Sequence, residues 1–522
     1  MPAKSLIKIE KMKGECAMNG NPSQKKMISI LFILSLLFAS GLNAQTFDHI
    51  KNQVKEHTLS NGMKFLVLER YDAPVVSFHV YSDVGSANET NGITGISHLL
   101  EHMAFKGTKT IGTKDYEKET KILDALDELY DTMWREKNKI RPDTIKLAEM
   151  NSTFEKLRLE AKELVVNNEF IDMFTKEGDP DINAYTSNDA TQYINSLPSN
   201  RLEFWMAMTS DRFLNPVFRE FYKEKDVVME ERRLGLETRP IGKLIEDFSA
   251  TAFKAHPYHH TVVGHMADLE RITRQDVKEY FQKYYSPSNL VVGIVGDVKA
   301  DDVFTMAELY FGRIPSGPKP NPPRTTEPEQ WGERRVQVVA KSQPIVVIGY
   351  HRPSVTDKDD LAFDALSNIA GQGRSSWLYR SLVKEKKIAI DTGVLNGFPG
   401  DKYPNLCAFY AVPAKDHTSQ ECLEAIDQEI EKLKTESVSP EELTKYKRSE
   451  KKSLINSMKS NSNMAELLTN NEILLGDWRA LFDKFAQVEA VTAEDIQRIA
   501  KTYLIKKHRT IGEIIPEEEA SL

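Results

Sequence analysis

Hydrophobic positions along this chain recur with two different periods, and together they predict a mixed α/β protein. The runs Ala73–Val80, Leu290–Val295, Gln343–Tyr350 and Thr510–Ile515 are short and rich in Val and Ile, as strands are. Elsewhere the spacing is helical. Ile122, Leu126, Leu129 and Met133 fall at i, i+4, i+7 and i+11, and Leu147, Met150, Phe154, Leu157, Ala161 and Leu164 alternate steps of three and four. Arg141, Pro142 and Asp143 break the pattern between them, which predicts an antiparallel helical hairpin over about 117–170 with charged outer faces. Its apolar stripe serves internal packing or, if the hairpin projects, docks a partner.

The two halves of the chain echo each other. Thr273 and Asp276 open one helical pattern, followed by Tyr284 and a strand containing Gly293. Thr492 and Asp495 open another, followed by Tyr503 and a strand containing Gly512, each 219 positions later without a gap. Thr with Asp three residues on can cap a helix N-terminus, so the echo is physical as well as literal. The strand runs at Ala73–Val80 and Gln343–Tyr350 each precede a helical stretch. These repeats predict an α+β fold of two homologous α/β sandwich domains, 45–314 and 333–522, with the hairpin inserted in the first. Six prolines between Pro315 and Pro328 mark 315–332 as an extended, semi-rigid linker.

Composition narrows the class. The chain has 522 residues, 40% hydrophobic and 28% charged, enough for sizeable cores and unlike a disordered or multi-span membrane protein. Its formal charge of −8 argues against a nucleic-acid partner. Ile28–Ala39 follows Lys25 and Lys26, and small residues close it. It is too short to span a bilayer but suits the apolar part of an export signal, so 1–44 is read as a signal peptide cut after Ala44 or Gly41. That reading places the mature protein in the periplasm or outside the cell, with no transmembrane segment after cleavage. It leaves Cys407 and Cys422, which either pair or remain buried thiols.

The chemistry lies in His98-Leu99-Leu100-Glu101-His102. Four residues apart on a helix, both imidazoles face one ion, and Glu101 stands beside the second. This is the inverted zincin pattern, His-x-x-Glu-His. Catalytic zinc takes a third protein ligand and keeps a position open for water. Glu220, Glu224 and Glu231 share a helical face, which makes Glu231 the best third ligand and Glu224 a carboxylate one layer back, although a solvated charged face would look the same. His256, His259, His260 and His265 compete, without helical spacing.

With Gly85–Glu89, His98–Thr108, Asp181–Ser187, and Glu224 followed by Glu231, the chain resembles the pitrilysin/insulinase family of zinc peptidases, in the half-size branch that includes the mitochondrial processing peptidase subunits. His256–Tyr258 and Tyr285–Asn289 also resemble family landmarks. The resemblance spans the mature chain. It implies one Zn2+ per chain held by His98, His102 and Glu231, with Glu101 as general base in peptide-bond hydrolysis. It also implies a substrate-binding edge strand at Asn183, Ala184 and Tyr185, suited to extended or unfolded peptides. The separation of His102 from Glu231 exceeds the family's usual spacing, and the hairpin accounts for it.

One family feature is missing. Members carry an Arg and, seven residues later, a Tyr in the second domain, where this chain has Val383 and Ile390. Lys384 and Arg380 are the nearby substitutes. The resemblance therefore implies the metal-bearing half of a heterodimer whose homologous partner supplies the Arg/Tyr pair, or else a homodimer. The alternative is a non-catalytic, peptide-binding or structural member of the same fold.

Overall fold

The computed structural model describes residues 49–517. The signal peptide read at 1–44 lies outside the described residues. No described helix is long and apolar enough to cross a membrane.

The first sheet has six strands: β1 (Val54–Thr58), β2 (Lys64–Glu69), β3 (Val75–Ser82), β4 (Asn183–Thr186), β5 (Thr191–Pro198) and β6 (Leu290–Gly296), in the order β1-β2-β6-β3-β5-β4. The second has five: β7 (Arg334–Ala340), β8 (Ile345–Arg352), β9 (Ala389–Phe398), β10 (Asn405–Pro413) and β11 (Arg509–Pro516), in the order β7-β11-β8-β10-β9. Leaving out β1, the two orders match strand for strand. β2 lies parallel to β6 as β7 does to β11, and every other pairing is antiparallel. Each closing strand follows a helix with a complete capping box, Thr273 with Asp276 and Thr492 with Asp495. The 219-residue echo is thus a duplicated sheet with a duplicated helix start.

Each half lends a helix to the other's sheet. Helix Pro240–Ala252 lies on β7 and β11, while helix Asn461–Leu475 lies on β3 and β6. The paired glycines explain how the helices fit. A Cβ on Gly293 would stand 2.6 Å from the carbonyl oxygen of Ala465, and one on Gly512 would stand 2.9 Å from Phe248 Cδ2. Both strands are bare at the point where the borrowed helix crosses. His79 on β3 meets the same helix, its Nδ1 2.6 Å from Thr469 Oγ1, and complete burial lowers its pKa to about 3.

The hairpin consists of helices Tyr116–Lys137 and Thr144–Leu164, started by Asp115 and Asp143 as N-caps. Residues 315–333 contain no helix or strand, yet the segment is tied down along its length. Ser288 donates to the Gly317 carbonyl, Glu327 accepts three N–H groups from residues 254–256, and Gln330 donates to Arg509. Cys407 and Cys422 are free and buried.

Candidate metal centre

Helix Ile96–Met103 carries His98, Glu101 and His102. It turns Leu99, Leu100 and Met103 into the core and leaves both imidazoles partly exposed. Fully buried Glu89 fixes its N-terminus by accepting the N–H groups of Gly95 and Ser97, each at 2.8 Å. Unpaired amides at a helix start favour such a carboxylate.

Glu224 and Glu231 come from helix Phe221–Arg232, which packs against the first helix. Glu231 Oε2 lies 3.6 Å from both His98 Nε2 and His102 Nε2. One ligand atom from each of His98, His102 and Glu231 lies within 4.8 Å of the others, the one such group of three among the described residues. The competing histidines form no such group among the described residues. His256 Nδ1 accepts the N–H of Tyr258, His260 lies 3.9 Å from Glu89, and His265 lies 3.6 Å from Glu246.

Glu224 stands behind the pair. One oxygen is 3.6 Å from His102 Nδ1 and the other 2.6 Å from Lys106 Nζ. Burial alone would raise its pKa, but His102 and Lys106 win and hold it at about 2. It thereby turns the other ring nitrogen, Nε2, toward Glu231. Burial and the neighbouring His102 lower the His98 pKa to about 4, so this imidazole stays neutral, as a metal ligand must be. For His102, burial is outweighed by Glu224, Glu231 and Glu101, and its pKa rises. Two imidazoles and a carboxylate, one ring neutral and the other oriented by a buried anion, fit zinc in their donor chemistry.

Glu101 faces the end of β4. Thr186 Oγ1 donates to Glu101 Oε2 at 2.6 Å; burial raises the Glu101 pKa, against the pull of Thr186 and His102. β4 is the last strand of its sheet, and no described strand pairs with its outer edge. Ser187 N–H turns inward to Ala190, so alternation along the ladder sends the N–H and C=O of Ala184 outward. Asn183 Oδ1 meanwhile accepts the Ala184 N–H at 2.9 Å. The Tyr185 side chain faces the interior of the protein. Its hydroxyl is 2.7 Å from Gln192 and 3.2 Å from Glu466 on the borrowed helix, so it ties the edge strand to the second half.

Sequence reasoning passed over the charged supports. Arg219, 1% exposed in its side chain, bonds the equally buried Glu119 at 2.9 Å and the carbonyl of Ile111 at 2.9 Å. It locks the loop after the metal-site helix to the root of the hairpin and to the entry of Phe221–Arg232. In the second half, Val383 packs against the core, while Ile390 is 53% exposed on edge strand β9. Arg380 pairs with Glu442 at 2.8 Å, and Lys384 lies over the ring of Tyr379.

Known proteins resemble this chain over most of its length. The zinc protease PqqE of Helicobacter pylori is 28% identical over 92% of this chain and 96% of its own length. A probable mitochondrial-processing peptidase subunit beta of Arabidopsis thaliana is 23% identical over 88% of this chain and 78% of its own. The crystal structure of a protease from Helicobacter pylori superposes with a TM-score of 0.74 at 27% identity, covering 89% of this chain and 99% of that one. The periplasmic protease PqqL of Escherichia coli gives 0.67 at 17% identity over 90% of this chain and 48% of that one. Residues 271–450 match the peptidase M16 inactive domain, and residues 65–126 and 153–265, which flank the outer part of the hairpin, match Insulinase (Peptidase family M16). The chain belongs to the M16 peptidase family, in its half-size form.

Proposed function

We propose that this chain is a zinc metalloendopeptidase that hydrolyses extended or unfolded peptides, with one Zn2+ held by His98, His102 and Glu231. The observation that carries the reading is the gathering of those three donor groups within 4.8 Å beside Glu101, at the free edge of β4. When bound, zinc supplies Lewis acidity, lowering the pKa of water and polarising a peptide carbonyl. The chain's own groups do the rest. An extended peptide adds to β4 by pairing with the outward N–H and C=O of Ala184, and the Asn183 side chain swings off that N–H to admit it. Glu101 takes the proton from the attacking water and returns it to the departing amine. Glu224 keeps His102 aimed at the site. The alternative reading, a non-catalytic member of the fold, is supported by the match of 271–450 to an inactive domain; the gathered donor set beside Glu101 favours the enzyme.

The reading includes export to the periplasm or beyond, in line with the periplasmic relative PqqL. It also includes a homologous partner supplying an Arg/Tyr pair, or failing that a second copy of the chain. Val383 and Ile390 offer no side-chain hydrogen bond, and Arg380 is engaged with Glu442. The test is hydrolysis of an unstructured, internally quenched peptide by the purified chain alone and mixed with an Arg/Tyr-bearing homologue. The mixture is expected to be far faster, to lose activity to a chelator and to regain it with zinc. Equal rates with and without the homologue contradict the partner, and chelator-resistant hydrolysis contradicts the metal.

A further inference from the structure

We propose that Thr186 is a positioning residue for Glu101, holding one carboxylate oxygen so that the other faces the water and the peptide. The inference rests on the reading of Glu101 as general base. Thr186 is the last residue of β4, where its side chain reaches Glu101. Its hydroxyl donates to Glu101 Oε2 at 2.6 Å, and its backbone N–H is directed to the same carboxylate. The backbone direction follows from the ladder: Ala184 and Thr186 share the outward register of the edge strand, two residues apart. A peptide that extends the sheet pairs at Ala184 and meets, at the next outward position, the residue whose hydroxyl holds Glu101. The end of the strand therefore orients the base beside the added peptide.

The side chain is itself confined. Thr191, the partner of Thr186 across the ladder, lies 3.5 Å away, and its own hydroxyl is donated to the Val84 carbonyl at 3.0 Å. Glu101 sits on a helix and Thr186 on a strand, so the bond between them fixes the base relative to the surface on which the peptide lies. Neither the three candidate ligands nor Ala184 depends on the Thr186 hydroxyl, so its removal should disturb orientation and leave metal and peptide binding in place.

The test uses the full chain loaded with zinc, together with the homologous subunit if turnover requires it, and an internally quenched unstructured peptide. Wild type, T186V, T186S and E101Q are compared for kcat, KM, zinc content and melting temperature. T186V keeps the β-branch and the backbone N–H but loses the hydroxyl. Its kcat is expected to fall about 10- to 100-fold, with KM and zinc content unchanged, because small misplacements of a catalytic group cost that much. T186S is expected to restore kcat to within about threefold of wild type. An unchanged kcat in T186V, a loss carried by KM or by zinc content, or failure of Ser to rescue would each overturn the proposal. T186A gives the same reading if T186V does not fold. Wild-type turnover in E101Q would mean that Glu101 is not the base, and the role of Thr186 would fall with it. Loss of turnover in E101Q with an intact T186V would sink the Thr186 role alone.

Discussion

Replacing Glu101 with Gln is expected to lower peptide turnover by about 10³-fold while zinc content stays at one per chain. Gln matches Glu in size and can still accept the Thr186 hydroxyl, now 2.6 Å from Oε2, so the local geometry should survive. What disappears is the ability to take up a proton. Glu101 is not in the group of three that could hold a metal, so metal content separates loss of the base from loss of the site. Turnover within a few-fold of wild type would assign the proton transfer to another residue. Loss of zinc would instead make Glu101 part of the metal's support.

The second large effect concerns stability. Gly293→Val is expected to destabilise the fold by about 3 kcal/mol, since overfilling a packed interior costs on that order. The added Cβ would meet the Ala465 carbonyl oxygen at 2.6 Å and Thr469 Cγ2 at 3.0 Å, and a backbone oxygen can move only if helix Asn461–Leu475 moves with it. The duplicate position provides the control. At Gly512 the nearest atoms belong to the side chains of Phe248 and Leu244, which can turn, so Gly512→Val should cost less. Denaturant midpoints of the two variants decide it. Equal and small losses would mean that the borrowed helices do not set the fit of the two halves.

These two sites also show what was legible in the chain beforehand. The metal-site helix is local chemistry: four residues bring His98 and His102 to one face whatever surrounds them. Glu231 and Glu224 share their own helix in the same way, but a solvated acidic face has the same spacing, so only the family resemblance pointed to their approach to the histidines. The duplication of one α/β domain was readable because the 219-residue echo preserves both capping boxes and both closing strands; the strand order itself was not. The exchange of helices was not. Nothing in the amphipathic pattern of Pro240–Ala252 says which of two similar sheets it covers, and only contacts distant in sequence decide that. That the Tyr185 hydroxyl reaches Glu466, a residue 281 positions away, was equally invisible in the strand pattern. The charged supports were hidden for a related reason. Arg219 and Glu119 read as surface residues in a sequence, and only folding shows that they are buried against each other. Thr186 was in plain view beside Asn183, but its bond to Glu101 depends on which edge of β4 is free.

The central claim is that two imidazoles on one helix and a carboxylate on another hold a single zinc ion. The most direct measurement is anomalous diffraction at the zinc absorption edge from crystals of the purified full chain. One peak within about 2.0–2.3 Å of His98 Nε2, His102 Nε2 and a Glu231 oxygen is the predicted result. A peak among His256, His260 and His265, or none at these three side chains in zinc-supplemented crystals, would contradict it.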